Sequence, residues 1–183
     1  YHDVGKLHAP NWFIENQDGT KNPHDEIDDP LKSAKVLQAH VDEGLKFARK
    51  NRLPTPIANF IPEHQGTLKM GYFLNKAEEK KLNFNESDFR YKGPIPQSKE
   101  TAILMLADGC EAALRAMDIN ASDYEALETI SKIVNTRQVD GQLNDSNLSR
   151  GEIFLIKKSF LNVWKRIRHR RIQYPTTKNN TFS

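Results

Sequence analysis

Cysteine is nearly absent from this 183-residue chain: Cys110 stands alone. A single thiol excludes an intrachain disulfide and favours a reducing compartment. Set in an apolar stretch, Cys110 reads as a small buried hydrophobe. No apolar run approaches the length that crosses a bilayer, and 28% of residues are charged, so this piece reads as soluble. A formal charge of +3 is too small to imply a nucleic-acid polymer as partner. No segment alternates with a period of two, and no internal repeat is visible, so β-architectures and solenoids are not indicated. Neither an initiator methionine nor a signal peptide is present. A start at Tyr1, inside a motif, predicts a piece of a longer protein.

What is present suits one all-α domain, large enough to bury about 70% of its unfolded surface. Tyr1 to Lys6 is expected to end a helix begun upstream, and residues 7–30, rich in Pro, Asn, Asp and Gly, to form a long anchored loop. Pro30 opens an amphipathic helix in which Ala34, Leu37, Val41, Leu45 and Ala48 recur at steps of three and four, with His40 at the stripe's margin. Residues 57–63 predict a short helix that delivers His64, and Gly66 breaks it. Further helices are expected over 68–82 and 97–117. Another runs from Ser122 or Asp123 to about Arg137, and a last one from Ser149 with Ile153, Leu155, Ile156, Phe160, Val163, Trp164 and Ile167 inward. The domain is read as residues 1–175, followed by a polar tail over 176–183.

Chemistry-bearing residues stand out against this frame. In Tyr1-His2-Asp3-Val4-Gly5-Lys6, an imidazole and a carboxylate diverge by about 100° if helical, so the pair can grip one metal ion while Asp3 reaches a second. The same pair could instead cap a helix end. His40 and His64, taken singly, are ligands or satisfied core histidines. Asp108, inside Ile103-Leu104-Met105-Leu106-Ala107-Asp108, is a carboxylate that burial would leave costly unless paired with a cation or bound to metal. Jointly, several helical segments each offer one hard or borderline ligand beside apolar sequence, a set that suits Fe, Mn or Zn. Lys6 is a candidate cation for a phosphate oxygen, or an ordinary exposed lysine. His24 could donate to phosphate or act as an acid, or with Asp25 it could pin its loop. Arg90 and Lys99 could receive a phosphate and Tyr91 could stack on a base, or all three could pin loops. Thr67 contacts substrate or caps the next helix. The run Lys165 to Arg171 reads as a basic solvated face, with anionic lipid or nucleic acid as rivals.

A family resemblance rests on strings that follow one another in order. They are Tyr1 to Lys6, Phe13-Ile14-Glu15-Asn16-Gln17, Asn22-Pro23-His24-Asp25, His40-Val41 and Glu63-His64-Gln65-Gly66-Thr67. Phe89 to Pro94, Pro96 to Glu100, Ala107-Asp108, Asp140-Gly141-Gln142-Leu143 and Arg171 to Pro175 complete the series. The chain resembles the cytoplasmic HD domain of the seven-transmembrane HD-family cyclic di-AMP phosphodiesterases, and it lacks the Gly-Tyr-Pro signature of the cyclic di-GMP enzymes. The resemblance implies an HD-domain helical bundle and a two-metal site, iron or manganese, that hydrolyses cyclic di-AMP to linear 5′-pApA. It implies that His2 and Asp108 serve one metal, that His40 and His64 serve the other, and that Asp3 bridges them. It also implies a membrane-embedded parent chain with this domain on the cytoplasmic face. Two departures go with it: the family has a further metal-binding histidine upstream of the His-Asp pair that this sequence does not contain, and Gln65 stands where the family usually has a second histidine. Gln65 could ligate through its carbonyl or hold a water. The rival readings are an HD phosphohydrolase of another nucleotide or cyclic dinucleotide, and a nucleotide-binding sensor impaired by Gln65.

Overall fold

The computed structural model describes the backbone of residues 1–17 and 22–171, with side chains to residue 168. The expected tail over 176–183, the 172–175 part of the last family string and the side chains that end the basic run lie outside the described residues. Among the described residues, eight α-helices follow in order: α1 (Pro23–Ile27), α2 (Pro30–Lys50), α3 (Thr55–Ala58), α4 (Phe60–Glu63), α5 (Gly71–Glu79), α6 (Lys99–Arg115), α7 (Asp123–Val139) and α8 (Arg150–Arg171). Short 3₁₀ segments cover Val4–His8, Pro10–Trp12, Ile14–Asn16 and Glu86–Phe89. The only β pairing among the described residues is an isolated bridge between Lys69 and Arg90, so the architecture is all-α.

Local chemistry sets most helix starts. Asp29 accepts from the Lys32 amide and Pro30 fills the first turn of α2. Ser98 caps α6 and Ser122 caps α7, each accepting from an amide three residues on. Ser149 does the same for α8 through the Glu152 amide, while the Glu152 carboxylate returns to the Ser149 amide. Helix α5 is shorter than its apolar pattern predicts, beginning at Gly71. Residues 68–70 are instead drawn into an extended pairing with Phe89 and Tyr91.

Two cores hold the bundle. One joins α6, α7 and α8 through Ala102, Met105, Leu106, Cys110, Ile130, Val134, Ile153 and Ile156. The other packs Ala34 of α2 against Met70, Phe73, Leu74, Ala77 and Phe89. Cys110 is 2% exposed, and burial pushes its thiol up to about 11. Two expected stripes are corrected. On α8, Leu155, Val163 and Ile167 are exposed, because the face that meets α6 and α7 carries Ile153, Ile156, Phe160 and Trp164. On α2, the buried line runs through Ala34, His40, Gly44 and Ala48 instead of Val41 and Leu45. The reason is a close approach: a Cβ on Gly5 would overlap the His40 carbonyl oxygen and lie 2.5 Å from the Gly44 amide nitrogen. The Val4–His8 segment thus rests directly on α2 at His40, where a helix continuing from upstream was expected.

Candidate metal centre

Four segments converge on one site. The turn before Val4–His8 supplies His2 and Asp3, α2 supplies His40, the end of α4 supplies His64 and α6 supplies Asp108. Asp3 lies between the others. Its Oδ1 is 3.3 Å from His64 Nε2 and 3.7 Å from His40 Nε2, while its Oδ2 is 3.2 Å from His2 Nε2. His2 Nε2 is in turn 3.9 Å from Asp108 Oδ1. Two potential ligand groups result, Asp3/His40/His64 and His2/Asp3/Asp108, each with its donor atoms within 4.8 Å of one another. Asp3 belongs to both.

The histidines are prepared as neutral ligands. His40 Nδ1 lies 2.5 Å from the Leu37 carbonyl oxygen, and His64 Nδ1 lies 2.7 Å from that of Ile61. A carbonyl only accepts, so each Nδ1 carries the proton and each Nε2 is left with its lone pair toward Asp3. Burial also pulls the His40 pKa down to about 4, so the ring is uncharged at neutral pH. Burial alone would raise the Asp3 carboxyl, but the His2 and Lys6 contacts to Oδ2 and the Lys6 charge outweigh it and hold Asp3 far below the usual carboxylate range. Asp3 Oδ1 and His40 Nε2 are both buried and both lack a hydrogen-bond partner. Two orphaned acceptors facing one point are costly unless a cation sits there, so the residues fit a metal ion. The side chains of His40 and His64 are 2% and 0% exposed, against 29% for His2 and 40% for Asp108. One group is therefore closed and the other opens to solvent. Asp108 is accordingly not the buried carboxylate its apolar surroundings suggested.

Lys6 is not a free exposed lysine. Its ammonium contacts Asp3 Oδ2 at 2.8 Å and Glu15 Oε1 at 2.5 Å, and these pairs raise its pKa against the opposing effect of burial. Gln65 places its amide nitrogen 3.0 Å from His64 Nε2. A half-turn of that amide would bring its carbonyl oxygen to the same point. The remaining candidates lie outside both ligand groups. His24 is packed between the Trp12 and Phe73 rings, with Nε2 donating to the Trp12 carbonyl at 2.9 Å. The Arg90 guanidinium is taken up by Asp140, Glu86 and the Thr67 carbonyl. Tyr91 lies edge-on to His40, with ring centroids 5.9 Å apart. Lys99 pairs with Glu152 at 2.5 Å. Thr67 does not cap α5, which starts at Gly71 after Met70; its hydroxyl accepts from Gln142 instead. In the basic run, Lys165 pairs with Asp123, and Arg168 donates to the Ile119 and Ala121 carbonyls while lying over the Trp164 ring.

Sequence reasoning assigned no role to Glu15, Glu63, Asp140 or Gln142, although all four stand in the strings that carried the resemblance. Glu63 is 3% exposed and accepts from the Thr101 hydroxyl at 2.6 Å and the Gln97 amide at 2.8 Å, tying the end of α4 to the start of α6. The available signal was their place in those ordered strings; nothing in the spacing says which partner each one meets.

The profile of the HD domain family matches residues 1–113. The chain is 47% identical over 180 residues to an uncharacterized protein of Synechocystis, covering 96% of this chain and 22% of that protein. It is 36% identical over 179 residues to the cyclic-di-AMP phosphodiesterase PgpH of Listeria monocytogenes, covering 98% of this chain and 25% of the relative. The chain thus spans at most 25% of the length of these relatives. The crystal structure of the Listeria PgpH HD domain in complex with cyclic-di-AMP superposes with a TM-score of 0.87 at 35% identity, covering 91% of this chain and 77% of that one.

Proposed function

This chain belongs to the HD domain family, and from that premise we propose that it is a metal-dependent phosphodiesterase that hydrolyses cyclic di-AMP to linear 5′-pApA. The observation that carries the reading is Asp3, shared between two ligand groups, with its buried Oδ1 facing the equally unpartnered Nε2 of His40. Two divalent ions, iron or manganese, would be held by His40, His64 and Asp3 on the closed side and by His2, Asp108 and Asp3 on the open side. When bound, they supply Lewis acidity towards water and a phosphodiester oxygen.

The chain's own residues then have distinct tasks. Asp3 spans both sides with its two oxygens, and Lys6, held by Glu15, fixes Oδ2. The carbonyls of Leu37 and Ile61 keep the His40 and His64 rings in one tautomer and orientation. The exposed flank at His2 and Asp108 admits the substrate, while the buried flank excludes bulk water. In the reaction, oxygen from water adds to phosphorus, the bond from phosphorus to the 3′-oxygen breaks, and that oxygen leaves with a proton. One cut opens the ring and leaves a 5′-phosphate end. We place the domain on the cytoplasmic face of a membrane-embedded parent; among the described residues no helix is long and apolar enough to cross a membrane itself.

A second reading, a nucleotide-binding sensor, draws on Gln65, whose amide nitrogen faces the lone pair that His64 would give to metal. Incubating the manganese-loaded chain with cyclic di-AMP, cyclic di-GMP and mononucleotides separates the readings. Accumulation of 5′-pApA from cyclic di-AMP alone is expected. Cleavage of another ester in its place overturns the substrate, and tight binding of cyclic di-AMP without turnover favours the sensor.

A further inference from the structure

Gln142 lies outside both ligand groups and is wholly buried, at 0% exposure, in the turn between α7 and α8. Its Oε1 accepts from the Thr67 amide at 3.0 Å, and its Nε2 donates to the Thr67 hydroxyl at 2.8 Å and to Asp140 Oδ2 at 2.9 Å. Asp140 receives two hydrogen bonds from Arg90, at 3.2 and 3.1 Å, and Arg90 also donates to the Thr67 carbonyl at 2.9 Å. The amide, carbonyl and hydroxyl of Thr67 are therefore all held by two side chains. Gly66, one residue nearer the ligands, has φ of +52°, and a Cβ there would lie 2.5 Å from Gln142 Oε1. Gln142 backs directly against the turn His64-Gln65-Gly66-Thr67.

We infer that Gln142, braced by Asp140 and Arg90, is a positioning residue that sets how His64 and Gln65 meet a metal ion, by locking the turn that follows them. This rests on the metal-site reading above. Glycine takes either sign of φ readily, so Gly66 is the joint at which this turn would otherwise relax. The upstream side of His64 is already fixed by Glu63, through the Gln97 amide and the Thr101 hydroxyl. The downstream side has the Gln142 clamp. A carboxamide carries a donor and an acceptor on adjacent atoms of one planar group, which is what the adjoining N–H and hydroxyl of one threonine require.

The test titrates manganese into the folded chain against a competing chromogenic chelator and records the metal-free unfolding midpoint of each variant. Gln142→Met and Thr67→Val are expected to weaken manganese binding about tenfold or more, as loss of a group that orients a ligand does. Thr67→Ser, which keeps the hydroxyl, is expected to restore unaltered affinity. If the variants lower the unfolding midpoint but bind manganese as the unaltered chain does, Gln142 is a staple only and the inference falls. Should Gln142→Met fail to fold, the contrast between Thr67→Val and Thr67→Ser decides. Absence of manganese binding by the unaltered chain overturns the metal-site reading itself, and with it this inference.

Discussion

At the scale of single residues, Asp3 concentrates the chemistry of the site. Its Oδ2 contacts His2 and Lys6, while its buried Oδ1 lies 3.3 Å from His64 Nε2 and has no hydrogen-bond partner. Asp3→Ala removes a donor from both ligand groups at once, so turnover of cyclic di-AMP and manganese binding are both expected to vanish. A variant that retains either, measured by product formation and by metal titration, refutes the bridging role. Gln65 is the opposite case, a neutral amide next to the His64 imidazole. Gln65→His is expected to raise manganese affinity, because imidazole is the better donor for a borderline cation; an unchanged titration would place residue 65 away from the ion. Both residues were visible in the sequence as members of motifs. Their partners were not: that Lys6 faces Asp3 and Glu15 depends on the 3₁₀ turns bringing Phe13 and Glu15 back over it.

At the scale of elements, the contact between Val4–His8 and α2 decides where His2 and Asp3 stand. It depends on glycine at position 5, which abuts the His40 carbonyl and the Gly44 amide; a Cβ on Gly44 would instead press on α4, meeting Ile61 Cγ2 at 2.8 Å. Gly5→Ala is expected to destabilise the metal-free chain by about 1–3 kcal/mol, the usual cost of overpacking where the neighbours are backbone. Urea unfolding measures it, and metal affinity should fall with it. Helix periodicity found the extent of α2 to within a residue or two but placed His40 at the stripe's edge. Apolar counting cannot register a face built from glycine and a polar ring. For the same reason, the sequence took residues 68–70 as helix although their backbone pairs with Phe89 and Tyr91. A single bridge leaves no alternating pattern to read.

At the scale of the whole molecule, buried neutral imidazoles make the fold sensitive to acid. Burial depresses the His24 pKa below its ordinary 6.5, with hydrogen bonding to the Trp12 carbonyl opposing the shift. The unfolded chain therefore binds the extra proton first as pH falls. The contribution of His24 to stability is complete above about 6.5 and is lost as pH drops through its depressed value. The unfolding midpoint of the metal-free chain should fall between pH 7 and 5, and His24→Gln should flatten that slope; an identical slope would mean that His24 does not titrate with unfolding. The sequence by itself determined the all-α class, the starts of α2, α7 and α8 and the identities of the residues that gather at the site. It could do so because caps, prolines and apolar spacing act locally, and because ligand chemistry is written in residue type. Tertiary structure alone decided that Asp3 lies between two groups, that one is closed and the other open, and that Gln142 grips Thr67. Those facts depend on where segments 37–106 residues apart come to rest, and a carboxylate or an amide bonds equally well to any partner the fold brings within reach.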